Sequence, residues 1–145
     1  MKTTKHIAAL LAALVLALSL TACGQTAAKD DPMNPAIPVS GGAEIGEGSK
    51  TFTTEVADQD GRAVTFTVHT DEETVGDALL KLHVVAGEAS SYGLYVKTVN
   101  GMTADYDKDG VYWAFYIDGE YAMTGVDATN ITDGAQYAFR MEKAN

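Results

Sequence analysis

The most informative part of this sequence for the fold is one predicted hairpin, Val111-Tyr112-Trp113-Ala114-Phe115-Tyr116-Ile117-Asp118-Gly119-Glu120-Tyr121. Its first seven residues form a nearly continuous apolar and aromatic run, which favours a strand. The dipeptide Asp118-Gly119 is a strong signal for a two-residue turn. We therefore predict a strand over 111–117, a tight turn and a return strand over 120–124.

The turn length fixes which side chains share a face. A two-residue turn places Ile117 opposite Glu120 and Tyr116 opposite Tyr121, and it places Ala114 opposite Met123. Because side chains alternate along a strand, one face carries Val111, Trp113, Phe115 and Ile117. The other face carries Tyr112, Ala114, Tyr116, Tyr121 and Met123. We expect the tryptophan face to be core. The tyrosine face is either a second buried layer, stabilised by cross-strand aromatic pairs, or an exposed platform for a partner.

A second hairpin and a helix precede this one. Alternating apolar residues over 52–56 and 64–68 flank a turn at 58–61, which predicts two paired strands. Thr74 and Asp77 then form a variant of the capping box that begins a helix. Its apolar stripe comprises Val75, Ala78, Leu79, Leu82 and Ala86, and Gly87 is expected to end it. The hairpin and the helix each have one apolar face, and we expect them to bury these faces against each other.

Further strands complete the predicted domain. They cover Leu94 to Val99 and Ala135 to Glu142, and an acidic loop lies between them at Asp105 to Gly110. The fold class is therefore α+β, a small β-grasp-like domain with a β-hairpin, one helix and further antiparallel strands, placed at residues 50–145.

The N-terminus predicts secretion and lipidation. Lys2 and Lys5 precede an apolar run that ends at Leu20-Thr21-Ala22-Cys23. A basic flank, a short apolar core and small residues describe a secretory signal peptide. The last four residues resemble the lipobox of bacterial lipoproteins, which implies that Cys23 is lipidated and that residues 1–22 are removed. An ordinary signal peptide with an incidental cysteine is the alternative. Residues 23–49, rich in Gly and Pro, are predicted to be a flexible tether.

The charge excludes one class of partner. The formal net charge is −10, and it becomes −12 once the two lysines of residues 1–22 are removed. Such a surface repels nucleic acid, because affinity for phosphates depends on Lys and Arg. With no basic patch for anionic lipid, the membrane contact must come from lipid on Cys23, on the outer side of the cell membrane.

The residues suited to chemistry are few. Asp105, Asp107 and Asp109 resemble the first half of a calcium loop, but the twelfth position is Tyr116 where glutamate is required, so we expect no metal site. His69 should face away from the apolar side of its strand, and His83 flanks the helix stripe. No catalytic residues are predicted and the chain is not expected to be an enzyme.

Two segments carry a family resemblance. They are Tyr92-Gly93-Leu94-Tyr95-Val96-Lys97-Thr98-Val99-Asn100-Gly101 and Tyr112-Trp113-Ala114-Phe115-Tyr116-Ile117-Asp118-Gly119-Glu120-Tyr121, continued by Gly125-Val126 and Asp133-Gly134. The region 50–143 is similar to the transcobalamin-like C-terminal domain, a family of unknown function in bacterial surface proteins and lipoproteins. In the vertebrate cobalamin carriers this domain covers one side of the corrinoid, and a separate helical domain covers the other.

These observations favour a membrane-tethered, extracytoplasmic binding lipoprotein. The ligand implied by the resemblance is a corrinoid of the cobalamin type, or another amphipathic small molecule, with Tyr112, Tyr116, Tyr121 and Met123 as the binding residues. The alternative is a cell-surface protein-interaction or adhesion module with no small-molecule ligand.

Overall fold

The computed structural model describes residues 38–145, which form two β-sheets and two short helices. The elements are β1 Glu44–Gly46, β2 Lys50–Ala57, β3 Ala63–Thr70, α1 Val75–Lys81, β4 Val85–Ser90, β5 Gly93–Val99, β6 Met102–Thr103, α2 Tyr106–Asp109, β7 Val111–Ile117, β8 Glu120–Tyr121, a 3-10 turn Val126–Ala128 and β9 Gln136–Lys143. The predicted α+β class is confirmed. The predicted signal peptide, Cys23 and the tether up to residue 37 lie outside the described residues.

The larger sheet has six strands in the order β1-β3-β2-β9-β7-β8, and the smaller has the order β4-β5-β6. Strands β2 and β3 pair antiparallel as predicted, with Phe52 opposite Val68. Strand β9 lies between β2 and β7, parallel to the former and antiparallel to the latter. None of the helices in residues 38–145 is long and apolar enough to cross a membrane.

The hairpin of β7 and β8 has the predicted register. Tyr116 is paired with Tyr121 and Ile117 with Glu120. Asp118 and Gly119 have φ angles of 49° and 86°, which suits a turn with two left-handed residues. The return strand is shorter than predicted, because it ends at Tyr121 and not at Thr124.

The tryptophan face is core, as predicted. Trp113 is 8% exposed, and its indole Nε1 donates a hydrogen bond of 3.1 Å to the carbonyl of Lys97. Phe115 stacks on Phe139 with a centroid distance of 5.2 Å. Tyr137 meets Phe52 edge-on at 5.2 Å. These aromatic contacts join β7, β9 and β2 into one apolar layer beneath α1 and β4.

Helix α1 begins where predicted and ends earlier. The hydroxyl of Thr74 accepts a 3.1 Å hydrogen bond from Asp77 N–H. The helix stops after Lys81, because His83 adopts a left-handed φ of 55° and the N–H of Val84 donates to the carbonyl of Leu79 at 2.9 Å. This is a Schellman ending with histidine in the usual glycine position. The predicted placement of Ala86 and Gly87 in and after the helix is therefore wrong, and both belong to β4.

Two further segments differ from the prediction. The acidic loop contains α2, which begins after Asp105, whose carboxylate accepts from Lys108 N–H at 3.0 Å, and ends at Gly110 with a φ of 64°. Strand β1 lies within the segment predicted to be a tether, and it pairs in parallel with β3. The ordered chain therefore begins before residue 50.

Candidate functional site

Three of the four predicted binding residues, Tyr112, Tyr116 and Tyr121, lie on the outer face of the six-stranded sheet, opposite the core. Tyr112 and Tyr116 are half-buried and Tyr121 is 57% exposed. Of the two interpretations left open by the sequence, the second buried layer therefore does not apply to these three side chains. We call Tyr112, Tyr116 and Tyr121 the tyrosine face.

One carboxylate ties two of these phenols together. The hydroxyl of Tyr112 donates to Glu142 Oε2 at 3.3 Å, and that of Tyr116 donates to Glu142 Oε1. Burial, followed by the charge of Glu142, raises the pKa of Tyr112 above its ordinary value. The hydrogen bond to Glu142, followed by burial, raises the pKa of Tyr116. Both phenols are therefore held in the neutral, hydrogen-bond-donating form.

An arginine covers part of the tyrosine face. The guanidinium of Arg140 lies over the ring of Tyr116, 4.6 Å from its centroid, and its Nη2 is 3.2 Å from Glu55 Oε1. The rings of Tyr116 and Tyr121 meet edge to face at 5.5 Å. Tyr116 is thus fixed by three neighbours, and Tyr121 is the more accessible ring.

Met123 is not part of this arrangement. It follows β8 in an irregular segment and is 94% exposed. Strand alternation no longer fixes its direction there, because the return strand has already ended. The structure thus brings Tyr112, Tyr116 and Tyr121 onto one sheet face and leaves Met123 in the loop that follows.

An apolar groove opens on the core side of β7, next to β5 and the 3-10 turn. It has a volume of about 140 Å³ and its lining includes Leu94, Tyr95, Tyr112, Trp113, Phe115 and Val126. Because Trp113 and Phe115 point towards the core, this groove lies on the side of β7 opposite to the phenols of the tyrosine face. Tyr95 is 42% exposed, and Tyr92, two residues before Leu94, is 96% exposed. The sequence pattern missed the groove, because its walls come from β5, β7 and the 3-10 turn, which only the tertiary fold brings together.

The carboxylate of Asp127 fixes one wall of the groove. Its Oδ2 accepts a 3.0 Å hydrogen bond from Leu94 N–H. A Cβ at Gly93 would lie 2.7 Å from Asp127 Oδ1, and a Cβ at Gly76 would lie 2.8 Å from the Asp127 main chain. Two glycines therefore allow the 3-10 turn to lie against both α1 and the β4–β5 hairpin.

The acidic residues and the two histidines are the other candidates for a metal site. Residues 38–145 contain no group of three or more His, Cys, Asp or Glu side chains that could hold a metal ion. His69 contacts Glu44 Oε2 and Thr51 Oγ1, each at 3.2 Å. His83 follows the last turn of α1 and has a left-handed φ of 55°.

Comparisons with known proteins give a family and a fold. The profile of a family described as a domain of unknown function (DUF4430) matches residues 72–143. A protein from Ruminococcus gnavus ATCC 29149, described as a "putative metal binding protein", is 30% identical, with 67% of this chain and 100% of that chain covered and a TM-score of 0.63. Haptocorrin in complex with Cbi is 18% identical, with 66% of this chain and 25% of haptocorrin covered and a TM-score of 0.53. No curated protein matches the chain.

The chain belongs to the same family as the Ruminococcus gnavus protein, and its residues 72–143 match the DUF4430 profile. The likeness to haptocorrin shows a shared fold, which confirms the transcobalamin-like part of the predicted resemblance.

Proposed function

We propose that this chain is a ligand-binding lipoprotein, anchored outside the cytoplasm through lipid on Cys23, and that its tyrosine face contacts the ligand. The observation that carries the proposal is the exposed ring of Tyr121, which lies beside two phenols that Glu142 orients. Aromatic rings that also carry a hydrogen-bonding group suit a flat ligand with polar substituents.

A corrinoid is the first ligand to test. The fold is shared with haptocorrin, which was crystallised with Cbi. The chemistry also suits a flat ring that carries amides, because Tyr121 offers an accessible aromatic face while Glu142, Arg140 and Gln136 offer hydrogen-bonding groups nearby. The chain covers 25% of haptocorrin, so this single domain can contact one side of such a ring. We therefore expect a Kd that is about micromolar, or roughly −8 kcal/mol.

The proposed location rests on the N-terminal sequence. A basic flank, an apolar core and the residues Leu20-Thr21-Ala22-Cys23 occur in the order that a lipoprotein leader requires. No other cysteine is present in the chain, so lipid attachment gives this thiol a role.

A second candidate function is a protein-interaction module. It is favoured by large exposed side chains on separate loops around the groove, namely Tyr92 at 96% exposure and Met123 at 94%. Aromatic side chains and Met are enriched at protein interfaces.

The test is a titration of the mature chain carrying Cys23→Ser with cobalamin, followed by heat and by tryptophan emission. Replacing both Tyr116 and Tyr121 with serine should weaken binding at least tenfold while the fold survives. Tyr106→Ser is the matched control, because Tyr106 is 54% exposed on α2, and it should bind like the parent. No binding at high micromolar cobalamin would exclude the corrinoid and leave the interaction module.

A further inference from the structure

Residues 38–46 lie along the edge of β3 that faces away from β2. Gly42 N–H donates to the carbonyl of Thr65 at 2.7 Å, and Thr67 N–H donates to the carbonyl of Ala43 at 2.8 Å. The pairing continues through β1, where Ile45 lies beside Val68. This segment is therefore held as a sheet strand, by main-chain hydrogen bonds.

The side chain of Asn100 binds the main chain at the N-terminal end of the segment. Its Oδ1 accepts from Val39 N–H at 2.6 Å, and its Nδ2 donates to Val39 C=O at 3.1 Å. Asn100 is 7% exposed, and its own N–H donates to the carbonyl of Val84 at 2.7 Å. The amide thus satisfies both main-chain groups of one residue, as a neighbouring strand would. Aspartate could not do so, because it lacks the donor.

Two glycines fit the end of the segment to β3. A Cβ at Gly46 would lie 2.3 Å from the carbonyl oxygen of His69, and a Cβ at Gly48 would lie 2.1 Å from the carbonyl carbon of Thr70. Only glycine allows this approach without a shift of the main chain. The sequence is therefore suited to docking at both ends of residues 38–48.

We propose that Asn100 is a lock that fixes Val39, completes the main-chain pairing of residues 42–46 with β3 and so sets the point at which the domain is attached to its N-terminal anchor. This proposal rests on the proposed lipidation of Cys23. From residue 23 to residue 38 the chain can span at most roughly 50 Å, whereas release of the segment up to residue 49 would extend this limit to roughly 90 Å. The lock therefore limits how far the binding surface stands from the membrane.

The lock also determines which side of the domain faces the anchor. Strands β1 and β8 are the two opposite ends of the six-stranded order. Five spacings of about 4.8 Å separate them, which gives about 24 Å. A docked segment therefore attaches the anchor at one edge of the sheet and keeps Tyr121, on β8, at the opposite edge.

The experiment uses Asn100→Gly in the mature chain carrying Cys23→Ser. Asn100 has a φ of 47°, so glycine keeps the turn and removes only the side-chain amide. We expect hydrogen exchange at Val39 and Gly42 to become about tenfold faster or more, while exchange at Phe139 in the core is unchanged. Asp118→Gly is the matched control, because it also replaces a left-handed residue, at φ 49°, and it should leave exchange at Val39 unchanged.

A distance measurement gives an independent readout. Spin labels at Ser40→Cys and Glu120→Cys, both exposed positions, should give one narrow distance in the parent and a broad distribution in Asn100→Gly. If Asn100→Gly does not fold, Val39→Pro removes the donor from the other partner and should have the same effect. Equal exchange rates and equal distances in parent and variant would overturn the proposal. It would also be overturned if the measured distance joined labels on two different chains, because residues 38–46 would then dock on a second copy. These measurements need neither lipid nor ligand, so their failure is distinct from failure of the proposed function.

Discussion

The guanidinium of Arg140 lies over the ring of Tyr116, with a distance of 4.6 Å between its central carbon and the ring centroid. Glu55 holds the same guanidinium through its Oε1 at 3.2 Å, so the arginine bridges β9 and β2 while it covers a tyrosine of β7. A cation in this position is attracted by the ring. One side of Tyr116 is therefore already occupied, and Tyr121 and Tyr112 are the rings of the tyrosine face that Arg140 leaves uncovered.

Replacing Tyr116 with phenylalanine should reduce stability by about 1 kcal/mol at neutral pH, because the hydrogen bond to Glu142 is lost. The substitution should also change how steeply the free energy of unfolding falls at alkaline pH. The pKa of Tyr116 is raised above its ordinary value of 10.0 by the hydrogen bond to Glu142 and by burial, so its contribution is complete below pH 10 and is lost as pH rises through the raised pKa. Urea unfolding between pH 8 and 11 should therefore show a shallower decline in the variant. Parallel curves would contradict this assignment.

Trp113→Ala should destabilise the domain by about 3–5 kcal/mol, because it removes a large side chain from the core. Trp113 is 8% exposed and donates to the carbonyl of Lys97. Tyr106→Ala, at a 54% exposed position, should stay within about 0.5 kcal/mol of the parent. Urea midpoints of the two variants provide the comparison, and a Trp113→Ala midpoint equal to that of the parent would reject the core placement.

The parts of this fold that the sequence predicted are the parts that local chemistry determines. The Asp118-Gly119 turn fixes the register of β7 and β8, and the register fixes which side chains face the core. Period-2 alternation likewise identified β2 and β3.

The missed features depend on contacts between distant residues. Helix α1 ends because His83 adopts a left-handed conformation, which usually favours glycine. In the sequence the apolar stripe of the helix continues to Ala86 by chance, although Ala86 belongs to β4. The start of the ordered segment before β1 is bonded to Asn100, whose partner Val39 is 61 residues away. The groove depends on Asp127, which holds the β4–β5 hairpin in place. None of these leaves a periodic signal.

Cys23 should carry lipid. The motivation is the order of the N-terminal residues, a basic flank and an apolar run that ends in Leu20-Thr21-Ala22-Cys23, which predicts a lipoprotein leader. Cells that express the whole chain are labelled with a fatty-acid probe, and label should appear on the parent and be lost in Cys23→Ser. Ala22→Gly, which keeps a small residue before the cysteine, is the control and should retain label. Label that persists in Cys23→Ser would disprove lipidation at this residue.

Millimolar calcium should not raise the unfolding temperature. Asp105 caps α2, Asp107 and Asp109 are exposed on that short helix, and Tyr116 stands at the twelfth position, where a calcium loop requires glutamate. A ligand that binds only the native state must raise the unfolding temperature by mass action. A clear rise that Asp107→Ala abolishes would refute the prediction.

Gly76→Ala should destabilise the domain although Gly76 lies within helix α1. In an exposed helix interior this substitution would gain about 1 kcal/mol from helix propensity. Here the new Cβ would lie 2.8 Å from both the N and Cα atoms of Asp127, and main-chain atoms cannot rotate away as a side chain can. Displacing the 3-10 turn should cost about 1–3 kcal/mol, so after the gain in helix propensity the net loss should reach up to about 2 kcal/mol. Gly41→Ala is the matched control, because its Cβ would meet only Val64 Cβ at 3.9 Å, and it should be close to neutral.

The decisive measurement is urea unfolding of both variants. Because Asp127 also binds the N–H of Leu94, hydrogen exchange at Leu94 should be faster in Gly76→Ala and unchanged in Gly41→Ala. A Gly76→Ala variant that is more stable than the parent would show that the turn can move without cost.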